Sequence, residues 1–133
     1  MRTVLTIGTF DIPHMGHATF LKRASRYGDL VVGVNSDRFV TEYKGKPSFT
    51  YRERCALVRQ FGFATIENDG PGRDLIEQIQ PRVLVIGSDW LGKDYFDQTN
   101  TSPDFFTDNN IELVYIPYTE GISSTVIRDR VRG

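Results

Sequence analysis

The sequence has few of the residues that build metal centres or disulfide-stabilised folds. Among its 133 residues are one cysteine, Cys55, and two histidines. A single cysteine excludes an intrachain disulfide, which fits a reducing compartment. A metal site built from nitrogen and sulfur ligands would need carboxylates to complete it. The sequence therefore does not favour a metal-stabilised or disulfide-stabilised fold.

A long apolar run and a strong charge imbalance are also missing. No stretch approaches the length of a membrane span, and the chain starts directly with a strand pattern rather than a signal peptide. The net charge of −1 argues against a general nucleic-acid or membrane surface. We therefore expect a cytoplasmic protein without nucleic-acid or membrane partners. The length predicts one domain over residues 1–133.

The chain is organised around its first twenty residues. A β-branched run, Val4–Ile7, predicts a strand, residues 8–11 predict a tight turn, and a helical pattern begins near residue 14. A strand that leads through a turn into a helix N-terminus binds anions, because unpaired N–H groups and the helix dipole both favour phosphate. Gly8 and Gly16 are the positions where the backbone would approach a ligand closely.

Two histidines occur in this stretch, three residues apart. If a helix begins near His14, then His14 and His17 lie on one face of its first turn and can donate hydrogen bonds to phosphate oxygens. Spacing alone leaves two alternatives open. One is a buried capping histidine beside a solvated one, and the other is a half-built metal site.

The rest of the chain alternates between helical and strand patterns, as is typical of a parallel α/β sheet. Helices are predicted at residues 18–27, 51–60 and 73–80, and a last helix is predicted to start at Ser123 or Ser124. Strands are predicted at residues 30–34, 63–66, 83–86 and 112–116. Thr50 and Glu53 predict a capping box for the second helix, which would bury residues 55, 57 and 58.

Two further segments are predicted to be irregular. Residues 41–49 contain turn residues and two lysines and are predicted to form a loop. Residues 94–110 are acidic, with phenylalanines as anchors and a helix start at Ser102–Pro103. This second segment would serve as a lid, a substrate wall or a surface insertion.

Three motifs resemble those of the HxGH nucleotidyltransferases, in the same order. GTFDIPHMGH at residues 8–17 resembles the GxFDxxHxGH signature, and GISSTVIR at 121–128 resembles the C-terminal ISSTxIR signature. Between them, GSDWLGK at 87–93 resembles a segment of the glycerol-3-phosphate cytidylyltransferase branch of the cytidylyltransferase family. The three motifs span nearly the whole chain, which makes the resemblance specific.

The resemblance implies both a fold and a reaction. The fold is a Rossmann-like α/β three-layer sandwich with a five-stranded parallel sheet in the order 3-2-1-4-5. The reaction is transfer of CMP from CTP to an alcohol phosphate, foremost sn-glycerol 3-phosphate, giving CDP-glycerol and pyrophosphate. Mg²⁺ would be bound mainly through the triphosphate, without a dedicated protein site. Alternatives are an ATP-using adenylyltransferase of the same superfamily and a non-catalytic nucleotide-binding module.

The resemblance also assigns roles to particular residues. The catalytic set would hold the reacting phosphates: His14, His17, Lys44 and Arg128. The nucleotide-binding set lies in the motifs and the lysine-containing loop: Gly8, Thr9, Phe10, Asp11, Gly16, Lys46, Gly87, Thr119, Gly121, Ile122, Ser123, Ser124 and Thr125. The substrate-binding set comprises Asp37, Arg54, Asp89, Trp90 and Tyr118. Asp11 is expected to orient a histidine or the metal ion, and Lys44 is preferred to Lys46 as the triphosphate ligand.

Two departures from the family pattern affect the substrate and the assembly. Tyr118 replaces an arginine of the family's active site, which removes a positive charge and leaves acceptor identity open. Residues 62–70 read GFATIENDG where the family carries an Arg-Tyr-Val-Asp-type segment associated with its dimer interface. The resemblance implies a homodimer, but this chain carries a different segment at the family's interface position.

Overall fold

The computed structural model describes residues 2–11, 15–43, 45–87 and 94–117. Its centre is a sheet of five parallel strands: β1 (Thr3–Gly8), β2 (Asp29–Asn35), β3 (Ala64–Asn68), β4 (Val83–Ile86) and β5 (Glu112–Tyr115). The strand order is β3-β2-β1-β4-β5, which confirms the predicted order. Because Gly8 pairs in register with Val34, and Asn35 with Asn68, the carboxyl ends of β1, β2 and β3 meet at one edge.

Six helices are described: α1 (Met15–Ala24), α2 (Asp37–Tyr43), α3 (Tyr51–Gln60), α4 (Arg73–Ile79), α5 (Tyr95–Thr99) and α6 (Pro103–Asp108). A 3₁₀ turn, Ser25–Tyr27, continues α1, so the helix that was predicted to begin near residue 14 and to continue to residue 27 is observed, with a tightened end. Thr50 and Glu53 form the predicted capping box, and α3 has the predicted bounds. Cys55 and Val58 on α3 are buried, whereas Leu57 is half-buried.

The two faces of the sheet are covered by different helices. Successive residues of a strand point to opposite faces, so Val4 of β1 belongs to one apolar cluster and Leu5 to the other. The first cluster includes Leu21 of α1 and Val58 of α3, and the second includes Ile76 of α4 with residues of α5 and α6. Helices on both faces of a parallel sheet make the predicted three-layer sandwich.

Residues 41–49 are not entirely a loop, so that prediction was wrong for residues 41–43. Helix α2 continues to Tyr43. Its start is fixed by Ser36, whose hydroxyl oxygen accepts a hydrogen bond from the N–H of Phe39 at 3.1 Å. The helix was missed because its seven residues present one fully buried side chain, Val40, and therefore no clear apolar stripe.

The acidic segment, residues 94–110, contains the helices α5 and α6. Ser102 caps α6 by accepting a hydrogen bond from the N–H of Phe105, which confirms the predicted helix start. Phe105 and Phe106 are buried against the second cluster and anchor the segment to the sheet. Across the described ranges, none of the helices combines the length and apolar character that crossing a membrane requires.

Candidate active site

A tight turn at the end of the central strand β1 forms the middle of the candidate site. We call residues Gly8–Asp11 the phosphate turn. Phe10 adopts a left-handed backbone conformation with φ of 55°, which folds its ring back over Gly8. A Cβ on Gly8 would lie 2.8 Å from Cε2 of Phe10, a residue whose exposed fraction is only 7%. A side chain at position 8 would therefore displace the buried Phe10 ring, which favours glycine there.

His17 lies beside the phosphate turn. It belongs to the first turn of α1, next to the buried Gly16, and is itself half-buried. Its imidazole meets the Phe10 ring edge-on, with ring centroids 5.4 Å apart. The described part of the GTFDIPHMGH motif therefore places an imidazole and a helix N-terminus close to the phosphate turn, as the sequence predicted.

Asp11 holds the segment that leads into α3. Its carboxylate accepts hydrogen bonds from the N–H groups of Ser48 and Phe49, each at 2.9 Å. The Ser48 hydrogen bond is the main reason why the pKa of Asp11 lies below its ordinary value. The expectation that Asp11 orients a histidine or a metal ion stays a prediction, whereas its contact with these amides is observed. Lys46, in the same segment, is exposed.

Arg54 is the most deeply buried charged residue at this edge, with an exposed fraction of 0%. Its guanidinium donates to the backbone oxygens of Thr9, Asn35 and Phe49 at 2.8, 2.7 and 3.1 Å. A fourth hydrogen bond, at 2.7 Å, reaches the carboxylate of Asp37. These hydrogen bonds are all made to protein groups and hold the neighbouring segments in place, and the predicted role of Arg54 in substrate binding stays a prediction.

Asp37 is half-exposed and is the first residue of α2. Its second oxygen accepts a hydrogen bond from the N–H of Tyr51 at 3.1 Å, at the start of α3. Partial burial works against ionisation, but the hydrogen bonds from Tyr51 and Arg54 outweigh it and hold the pKa of Asp37 below its ordinary value. Its predicted role in substrate binding stays a prediction.

A chain of polar side chains along the carboxyl edge was missed from the sequence. The hydroxyl of Tyr43 lies 3.1 Å from Oγ1 of Thr9, which also accepts a hydrogen bond from Nδ2 of Asn35 at 3.1 Å. Asn68 in turn donates to Oδ1 of Asn35 at 2.8 Å. The sequence offered one signal for this chain: Asn35 and Asn68 stand just after two predicted strands. Tyr43 carried none, because it was placed in a loop.

Many of the predicted site residues lie outside the described part of the chain. They are His14, Lys44, Asp89, Trp90, Tyr118, Thr119, Gly121, Ile122, Ser123, Ser124, Thr125 and Arg128. Gly87 is described and buried just beyond β4, at the same edge as the phosphate turn. The structure thus brings together Gly8, Thr9, Phe10, Asp11, Gly16, His17, Asp37 and Gly87. Among the described residues, no group of three or more side chains is arranged to hold a metal ion.

Comparison with known proteins identifies the family. The family model described as cytidylyltransferase-like matches residues 5–130. Glycerol-3-phosphate cytidylyltransferase from Bacillus subtilis (strain 168) is 34% identical over 100% of this chain and 99% of its own length. Bifunctional protein HldE from a Nitratiruptor species is also 34% identical, over 98% of this chain but 28% of its own length.

A solved structure has the same fold. It is the lipopolysaccharide core biosynthesis protein from Thermoplasma volcanium GSS1, with a TM-score of 0.70 and 24% identity. The match covers 90% of this chain and 97% of that one. The family model and the full-length relative confirm the resemblance read from the three motifs. The chain belongs to the cytidylyltransferase-like family of nucleotidyltransferases.

Proposed function

We propose that this chain transfers CMP from CTP to an alcohol phosphate, foremost sn-glycerol 3-phosphate, and releases pyrophosphate. The observation that carries the proposal is the phosphate turn, which follows the central strand and lies beside His17 at the start of α1. The N-terminus of a helix favours anions because its macrodipole is positive there and the N–H groups of its first turn point outward along the axis. The full-length similarity to a glycerol-3-phosphate cytidylyltransferase supports CTP and this acceptor.

The reaction would be an in-line displacement at phosphorus. A phosphate oxygen of the acceptor attacks the α-phosphorus of CTP, the bond to the bridging oxygen of the β-phosphate breaks, and pyrophosphate leaves with that oxygen. The proposal assigns no protein nucleophile, and Cys55 is buried on α3 within the first apolar cluster. Catalysis would come from positioning and from stabilisation of negative charge.

In the proposed reaction, some residues of the site bind phosphate oxygens and others stabilise the negative charge that develops. The N–H groups of the phosphate turn would hold phosphate oxygens, and His17 would donate to the α- or β-phosphate as charge shifts toward the leaving group. His14, Lys44 and Arg128 complete the proposed set. Lys44 and Arg128 would bind the pyrophosphate portion.

Mg²⁺ fits this site as a counter-ion of the triphosphate. The described carboxylates nearest the turn, Asp11 and Asp37, already accept hydrogen bonds from protein N–H groups. We therefore propose that the ion is held mainly by phosphate oxygens, where it would neutralise charge. Cytoplasmic location and a homodimer stay predictions from the sequence.

The test is a substrate panel. Pyrophosphate release would be measured with Mg²⁺ for CTP and ATP, each against glycerol 3-phosphate and a set of other alcohol and sugar phosphates. Release that needs both CTP and glycerol 3-phosphate would support the full proposal. Release that occurs with ATP but not with CTP would contradict the assignment of the nucleotide. Release with CTP and a different acceptor, but not with glycerol 3-phosphate, would contradict the assignment of the acceptor. Nucleotide binding without turnover on any pair would contradict catalysis.

A further inference from the structure

The end of helix α2 is attached to the phosphate turn through Tyr43. Tyr43 is the last residue of α2, and its hydroxyl lies 3.1 Å from Oγ1 of Thr9 in the phosphate turn and 3.4 Å from Nδ2 of Asn35. Its ring packs against Phe39, one turn earlier, with centroids 4.6 Å apart. Tyr43 is 40% exposed, and its contact with Phe39 supports the ring on one side.

The segment that follows Tyr43 is attached to the same turn a second time. Ser48 and Phe49 donate their N–H groups to the carboxylate of Asp11, at the other end of the phosphate turn. Residues 45–47 therefore lie between two attachments, which we call the Tyr43 contact and the Asp11 contact. Of the two candidates for the triphosphate ligand, Lys46 is one of these residues, whereas Lys44 lies outside the described residues.

The intervening segment depends on such attachments for its position. Gly45 has a φ of +114°, and its N–H donates a hydrogen bond to the backbone oxygen of Val40 at 3.2 Å, which ties it to the last turn of α2. A Cβ added at Gly45 would meet nothing within 4 Å, so the space beside this residue is open. The position of the segment therefore depends on where the end of α2 is held, and Tyr43 is the residue at that end.

We propose that Tyr43 is a positioning residue, which together with Asp11 fastens residues 45–47 to the phosphate turn and so positions Lys46, the described lysine of this segment, for the triphosphate. The inference rests on the proposed function, because it assumes that the phosphate turn binds a nucleoside triphosphate. Tyr43 itself is not required to touch the nucleotide. Its hydroxyl acts through Thr9 and through the segment that it anchors.

The first experiment compares Tyr43→Phe with Tyr27→Phe, which removes a phenol hydroxyl from the opposite, amino-terminal end of the sheet. In Tyr43→Phe we expect the KM for the nucleoside triphosphate to rise about two- to tenfold, the range for the loss of one hydrogen bond. The KM for the acceptor should stay unchanged, and Tyr27→Phe should match the wild type. An unchanged nucleotide KM, or equal rises for both substrates, would overturn the inference.

The second experiment is a double-mutant cycle between the two attachments. If both act on one segment, Tyr43→Phe and Asp11→Asn should be non-additive in nucleotide KM, whereas Tyr27→Phe and Asp11→Asn should be additive. Additivity in the first pair would show that Tyr43 and Asp11 act independently and would contradict a shared fastening.

A third measurement does not depend on turnover. Hydrogen exchange at the amides of Ser48 and Phe49 should be about two- to tenfold faster in Tyr43→Phe than in the wild type. Unchanged exchange would overturn the inference even in an active enzyme. Faster exchange in a protein that fails the substrate panel would leave the fastening correct and the proposed function wrong.

Discussion

Arg54 lies 2.7 Å from the carboxylate of Asp37, and the same guanidinium reaches the backbone of the phosphate turn at Thr9. One fully buried side chain therefore joins the start of α2, the end of β2 and the turn that follows β1. A buried charge is tolerated when it is paired and its N–H groups are bonded, and both conditions hold here. The carboxyl edge is consequently held as a unit by a residue on α3.

Arg54→Lys should destabilise the protein strongly. A lysine carries a charge of the same sign but cannot reach acceptors on four segments with a planar fork, so backbone oxygens would lose their partners. We expect a loss of about 2–4 kcal/mol in the free energy of unfolding, measured by urea titration. Arg52→Lys, on the exposed side of the same helix, is the control and should stay near the wild-type value. A loss for Arg54→Lys that is no larger than that of the control would contradict the positioning role.

Acid should weaken this edge through Asp11 and Asp37. Both have a lowered pKa in the folded state, so folding favours their ionised forms. Their stabilisation is complete above the ordinary value of 3.8 and is lost as the pH falls through the lower folded-state values. The free energy of unfolding should therefore decline below about pH 4.

A comparison of variants tests whether Asp11 and Asp37 cause this loss of stability in acid. The double variant Asp11→Asn, Asp37→Asn should be less stable than the wild type at pH 7, and the difference should shrink toward pH 3. Asp29→Asn, at the exposed start of β2, serves as the control and should leave the pH profile unchanged. A constant difference between the double variant and the wild type across this range would show that other groups cause the acid dependence.

Gly8→Ala should damage the phosphate turn directly. The new Cβ would lie 2.8 Å from the Phe10 ring, which is buried and also meets His17. Relief of this overlap requires a shift of the ring, at a cost of about 1–3 kcal/mol in stability. Gly70→Ala is a matched control, because a Cβ there would meet nothing within 4 Å.

A measurement of turnover distinguishes damage to the site in Gly8→Ala from a general loss of folded protein. The Phe10 ring supports the position of His17, so we expect turnover to fall by about tenfold or more, beyond the fraction that unfolds. Steady-state kinetics at a temperature where both variants are folded would measure this. Full turnover in folded Gly8→Ala would mean that the turn tolerates a side chain and does not approach a ligand closely.

The elements that were predicted well carry local signals. Helix α3 was predicted with its observed bounds because Thr50 and Glu53 mark its start, and β4 because an apolar run stands between Pro81 and Gly87. The burial of Arg54 was not predicted. Arginine is normally exposed, and three of its acceptors belong to residues 9, 35 and 37, far from position 54 in the sequence. Such a network becomes visible only when the strands are placed side by side.

The residues of the candidate site also fall into those that a local sequence signal predicts and those that only the tertiary structure reveals. The motifs identified Gly8, Asp11 and His17 because their spacing is a feature of the sequence itself. The contact of Tyr43 with Thr9 was missed because it depends on where α2 ends relative to the phosphate turn. That distance is a property of tertiary structure, and no spacing rule encodes it.

The most informative experiment measures pyrophosphate release from CTP and glycerol 3-phosphate side by side for the wild type, His17→Ala and Lys22→Ala. Lys22 is exposed on the same helix and provides the control. We expect release by the wild type and Lys22→Ala and a fall of about 10²–10³-fold in His17→Ala, with its unfolding transition preserved. Near-normal release by folded His17→Ala, or no acceptor-dependent release by the wild type, would contradict this expectation.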